Sequence, residues 1–190
     1  MIKRRSLLYP LIAVALAVVL IALPASHPTL AQSTTPTSPP LGNLLQEYKP
    51  VVMPEATAYS LFTTDPYRTH QVWYRVVGGN ALFRQRLRVY QENAGPRPRN
   101  QVPPEVALRQ ELISNNPSDW LVLPSTSGIF TYYFDGDHES TTTGLWQSGR
   151  GIKVKQAVFD HGSLYELGFE DQISLDDYND LVIQVAIILQ

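Results

Sequence analysis

Ala81-Leu82-Phe83-Arg84-Gln85-Arg86-Leu87-Arg88-Val89-Tyr90-Gln91 alternates along its whole length. Phe83, Gln85, Leu87 and Val89 fall on one side, and Arg84, Arg86, Arg88 and Tyr90 on the other. A period of two belongs to a strand and not to a helix. The stretch therefore predicts a half-exposed β-strand with an arginine outer face. Val77-Gly78-Gly79-Asn80, just before it, reads as a hairpin turn. Working outward, residues 57–63, 71–77, 120–123, 128–134, 152–159, 163–169 and 181–189 are short runs rich in β-branched and aromatic residues, most of them bounded by Gly, Pro, Asn or Asp. Residues 181–189 are apolar on both sides except at Gln184, which suits a central strand covered on both faces. Residues 104–114 predict a single helix, with Pro104 at its first turn, Glu105 at its positive end and a partial stripe of Val106, Leu108, Leu112 and Ile113. The fold class expected is all-β: an antiparallel, jelly-roll-like β-sandwich with one short helical insert.

Fifteen prolines and eleven glycines in 190 residues exclude a long-helix or coiled-coil protein. The absence of cysteine excludes a disulfide framework, a thiol nucleophile, a cysteine-ligated zinc, an iron–sulfur site and a cysteine-borne lipid anchor. Lys3, Arg4 and Arg5 precede an apolar run over residues 7–23, and Thr29-Leu30-Ala31 offers a small-residue cleavage site. Residues 1–31 are thus expected to be a bacterial signal peptide, or an uncleaved N-terminal anchor and the chain's one membrane contact. Residues 32–52 read as a linker, rich in Ser, Thr and Pro at its start, and residues 53–190 as the β-sandwich domain. Without residues 1–31, 12 Lys and Arg face 17 Asp and Glu, a net charge of −5, which argues against nucleic acid as a partner.

The acids are concentrated. Glu170, Asp171, Asp176, Asp177 and Asp180, with the side chain of Asn179, fall within eleven residues between two apolar runs. Like charges this close repel, and a hard divalent cation relieves the repulsion well. Ca²⁺ accepts carboxylate, amide and backbone oxygens of the kind this stretch offers. The register of an EF-hand is absent. Glu170, Asp171, Asp177, Asn179 and Asp180 are the leading candidate metal ligands, with Asp176 and Asp137 behind them. A hydrated loop closed by carboxylate–backbone hydrogen bonds is the alternative. A second acidic cluster, Asp135-Gly136-Asp137-His138-Glu139, reads as a hairpin turn or a second metal loop.

The stretch Phe169-Glu170-Asp171 followed by Asp177-Tyr178-Asn179-Asp180-Leu181-Val182 resembles the signature of the domain of unknown function 4114 family. The loop here is shorter and lacks the family's glycines, and Leu175 stands where the family has an Asp. The resemblance covers about 15 residues closely. It implies an exported bacterial β domain with calcium-supported binding or adhesion, and it does not imply an enzyme.

No nucleophile motif accompanies His138 or His161, and both read as surface loop residues. The function expected is a secreted, periplasmic or cell-surface module without catalytic activity. It would bind a surface ligand, a polysaccharide or a protein. A carbohydrate-binding module using Trp73, Tyr74, Tyr132, Tyr133 or Trp146 is one alternative, the arginine face as a seat for an anionic polymer is another, and a hydrolase is the third.

Overall fold

The computed structural model describes residues 37–98, 101–172 and 177–190. The export segment, the first part of the linker and the candidate ligand Asp176 lie outside the described residues.

The elements, in chain order, are β1 (Leu44–Glu47), β2 (Val51–Pro54), β3 (Ala58–Phe62), β4 (Thr69–Gly78), β5 (Gln85–Glu92), a 3-10 turn (Glu105–Ala107), β6 (Leu108–Ile113), β7 (Leu121–Val122), β8 (Thr126–Ser127), β9 (Thr131–Glu139), β10 (Trp146–Ser148), β11 (Gly151–Phe159), β12 (Gly162–Glu170) and β13 (Leu181–Leu189). They form two antiparallel sheets packed as a sandwich. The larger runs β1-β11-β12-β13-β4-β7, with β2 also on β11 and β8 also on β4. The smaller runs β10-β9-β5-β6, with β3 also on β9.

The core lies between the sheets. Leu87, Val89, Tyr132 and Phe134 from the smaller sheet meet Tyr74, Val76, Leu167, Phe169, Ile183 and Val185 from the larger. Tyr74 and Phe134 bring their ring centroids within 6.1 Å across the interface. β13 is central, and on its outer side Ala186 and Ile188 pack with Trp73 in a second apolar cluster. Four of the five aromatic residues read as a possible sugar platform, Trp73, Tyr74, Tyr132 and Tyr133, are buried instead.

Four expectations are corrected. The 104–114 stretch is a single 3-10 turn followed by β6, not a helix. A helix of that length is marginal on its own, whereas the free edge of β5 offers a ladder from Arg86↔Ile113 to Tyr90↔Leu108, with one register shift between Val89 and Tyr90. The 77–80 segment is no hairpin turn, because β4 and β5 belong to different sheets and the chain crosses between layers there. Pairing begins at Leu44, so β1 and β2 take residues assigned to the linker into the larger sheet. Asp135, Asp137 and Glu139 form neither turn nor metal loop; they lie within β9.

The register explains the last point. Arg88 sits opposite Asp135 and Arg86 opposite Asp137, and the Arg84 carbonyl accepts from the Glu139 amide. Alternate residues of the two strands thus build a charge ladder on one sheet face. Arg86 pairs with Asp137, Arg88 Nη2 reaches Asp135 at 2.6 Å, and Arg88 Nε lies 3.1 Å from Asp137. Asp135 and Asp137 are buried. Glu111 and Glu105 close the ladder on its outer side, and Trp146 lies against Arg86 at 4.5 Å. The arginine face is therefore largely neutralised within the fold and is not an open cationic surface.

Candidate functional site

Strands β12 and β13 are neighbours, and the acidic stretch connects them at one end of the sandwich. Two glycines let this connection lie flat. A Cβ on Gly168 would fall on the Tyr178 carbonyl oxygen, and one on Gly79 on the Asp180 carbonyl oxygen. Tyr178 itself holds a left-handed backbone, with φ of 54°.

The carboxylates are aimed by backbone amides. Glu170 Oε1 accepts from the Gln172 N–H at 3.0 Å, and its Oε2 accepts from the Tyr178 N–H at 3.1 Å. Asp180 Oδ2 accepts from the Asp171 N–H at 2.7 Å. These bonds fix Glu170 and Asp180, and one oxygen from each of Glu170, Asp177 and Asp180 lies within 4.8 Å of the others. Glu170 and Asp180 are buried, while Asp177 is exposed and opens the cluster to solvent. An acidic triad of this geometry could bind a metal ion, and its hard oxygen donors suit Ca²⁺ or Mg²⁺ over softer metals.

The other candidates are placed differently. Asp171 lies beside the triad and not within it, and its carboxyl still interacts with that of Asp180. Asp171 Oδ2 accepts from Gln85 Nε2 at 2.8 Å, which ties the connection to β5 in the other sheet. The Asn179 carbonyl accepts from the Asn80 N–H at 2.8 Å. Asp137 belongs to the arginine ladder and is not a member of the triad. His138 is not a surface loop residue: it is buried in β9 against Phe83, with ring centroids 5.6 Å apart. His161 is exposed at the turn between β11 and β12.

Gln85, the residue that reaches the acidic connection from the other sheet, lies on the apolar side of its strand. A lone amide on such a side is itself a signal, since a buried amide needs a partner.

Burial, first of all, pushes the carboxyls of Glu170, Asp171 and Asp180 above their ordinary range, with repulsion from neighbouring carboxylates adding to it; the amide donors act the other way. A carboxyl raised in the folded state binds more protons folded than unfolded. Its contribution to stability therefore falls as pH climbs from the ordinary carboxylate range through the raised value. His70 and His138, held below their ordinary range chiefly by burial, act oppositely and lose stability as pH falls. Asp180→Asn keeps an acceptor for the Asp171 N–H but removes one charge. In chelator it is expected to melt above the parent at pH 7, with a gain that shrinks toward pH 4. The histidines are common to both proteins and cancel in this difference. A lower melting temperature for the variant at pH 7 would contradict the electrostatic account.

Comparison of the chain with protein-family models, with curated proteins and with solved structures gives no match.

Proposed function

We propose that the chain is an exported, non-enzymatic β-sandwich module of the bacterial envelope or extracellular space, in which Ca²⁺ held by Glu170, Asp177 and Asp180 orders the β12–β13 connection for ligand binding, adhesion or assembly. The observation that carries the reading is the convergence of three carboxylates within 4.8 Å at a partly buried loop. A cation there offsets the repulsion and the desolvation that raise the carboxyls. Export is supported by the basic and then apolar N-terminus, and the local resemblance over Phe169 to Val182 points the same way.

The test is a thermal melt in excess chelator and in millimolar Ca²⁺, with Mg²⁺ as the comparison. An ion bound only by the folded state, at 100 times its dissociation constant, adds about 2.7 kcal/mol. For a domain of this size that is a rise of several degrees. The expected result is a calcium-selective rise that disappears in Asp180→Asn and Asp177→Ala. No rise would identify the connection as a hydrogen-bonded turn and remove the ion from the account.

A further inference from the structure

Beside the triad lies a cavity of about 920 Å³, and its lining includes Glu55, Thr57, Gln147, Arg150, Glu170 and Tyr178. Its volume is within the roughly 300–1,000 Å³ of small-molecule sites. The chain crosses between the sheets twice at its walls, from β2 to β3 through Glu55 and from β10 to β11 through Arg150. Among the described residues, Glu55 (φ 63°) and Tyr178 (φ 54°) are the non-glycine residues with a left-handed backbone, and both line this cavity. Such conformations persist where the surrounding structure holds them, and they gather at binding sites.

Arg150 is the cation of this lining. Its N–H donates to the Glu170 carbonyl at 2.6 Å, and its carbonyl accepts from the Glu55 N–H at 3.0 Å. The preceding residue, Gly149, donates to the Gly136 carbonyl at 3.0 Å. The backbone is thus pinned to both sheets while the side chain is exposed. Arg84, Arg86, Arg88 and Arg97 all have carboxylate partners, whereas Arg68, Arg75, Arg109 and Arg150 have no ion pair among the described residues, and of these four it is Arg150 that lines this cavity. A guanidinium without an ion pair, rooted on a pinned backbone at a cavity wall, is a fork for a planar carboxylate.

The rest of the lining narrows the ligand. Glu55 and Glu170 share the cavity, and their charges disfavour a dianion such as a phosphate ester. Glu55 is exposed and accepts hydrogen bonds from hydroxyls, as Thr57, Ser148, Gln147 and Gln172 also can, while Glu170 is committed to the Gln172 and Tyr178 amides and to the triad. One negative charge on a body rich in hydroxyls describes a uronic acid residue. We infer that this cavity binds a carboxylated sugar, with Arg150 taking the carboxylate and Glu55 and the surrounding hydroxyls and amides taking the ring hydroxyls. The inference rests on the proposed function in one respect: it supplies the surface ligand of a calcium-ordered module, with Glu170 at the border of cavity and triad.

The test is calorimetric titration of the protein with trisaccharides of galacturonate and of glucuronate, and with the galactose trisaccharide, in Ca²⁺ and in chelator. The expected result is binding of a uronate trimer, discrimination against the neutral trimer, and at least tenfold weaker uronate binding in Arg150→Gln at an unchanged melting temperature. Equal binding of charged and neutral trimers, no effect of Arg150→Gln, or no binding at all would overturn the inference. A calcium-dependent melt without uronate binding overturns this inference and leaves the ion in place. Uronate binding in a protein whose melt ignores calcium does the reverse.

Discussion

Asp137→Ala is expected to lower folding stability by about 3–5 kcal/mol in urea titrations, the range for removing one partner of a buried ion pair. Asp137 is buried between two arginines, bonded to Arg86 and 3.1 Å from Arg88 Nε. Its removal leaves two half-buried guanidiniums with too little negative charge beside them. Glu111 and Glu105 are much more exposed and compensate poorly. The comparison is Glu139→Ala, whose partner Arg84 is exposed, and whose loss should cost no more than about 1 kcal/mol. Equal effects of the two substitutions would mean that the ladder is an ordinary surface feature. Asp135→Asn should be milder than Asp137→Ala. Burial and the Asp137 charge push Asp135 up to about 6 in spite of Arg88, so the folded protein already holds a proton there in mildly acidic solution. A carboxyl raised in this way loses its contribution as pH climbs from about 4 toward 6, so the neutral amide mimics the form favoured below that value.

Gly168→Ala should be nearly as damaging, at about 3 kcal/mol, the upper part of the usual range for overpacking. The obstacle to the new methyl is the carbonyl of Tyr178, which is backbone and cannot rotate aside. The connection must lift, and with it the Tyr178 N–H that holds Glu170. The calcium response expected of the parent should therefore weaken in the same variant. Gly95→Ala is the control, because a Cβ there meets no atom within 4 Å; its effect should stay within about 0.5 kcal/mol. A Gly168→Ala protein that matched this control in stability would show that the connection can move without cost.

The triad was largely legible from composition and spacing. Glu170, Asp177 and Asp180 flank one short connection, and a chain that returns antiparallel must bring its two ends together. Asp171 belongs to the same acidic stretch but lies beside the three-oxygen group, with its carboxyl next to that of Asp180. What the spacing did not reveal is Gln85, which reaches the Asp171 carboxyl from the other sheet. Arg150 left no local signature. Its meaning comes from standing without an ion pair at a place where two sheet crossings meet, and this depends on residues far apart in the chain.

By itself, the sequence determined most of the longer strands, β3, β4, β5, β9, β11, β12 and β13. Alternating and β-branched runs bury one face only as extended chain, and that preference is local. It also determined that a dense acidic segment would join the last two of them. Only the tertiary structure decided which strand lay beside which. That choice turned residues 108–113 into β6, because the edge of β5 had ladder bonds to offer that outweighed a marginal helix. The same choice set Asp135 and Asp137 against Arg88 and Arg86, making a buried ion ladder from what reads locally as a turn. Pairing energies join residues tens of positions apart, and no short window of sequence contains both partners.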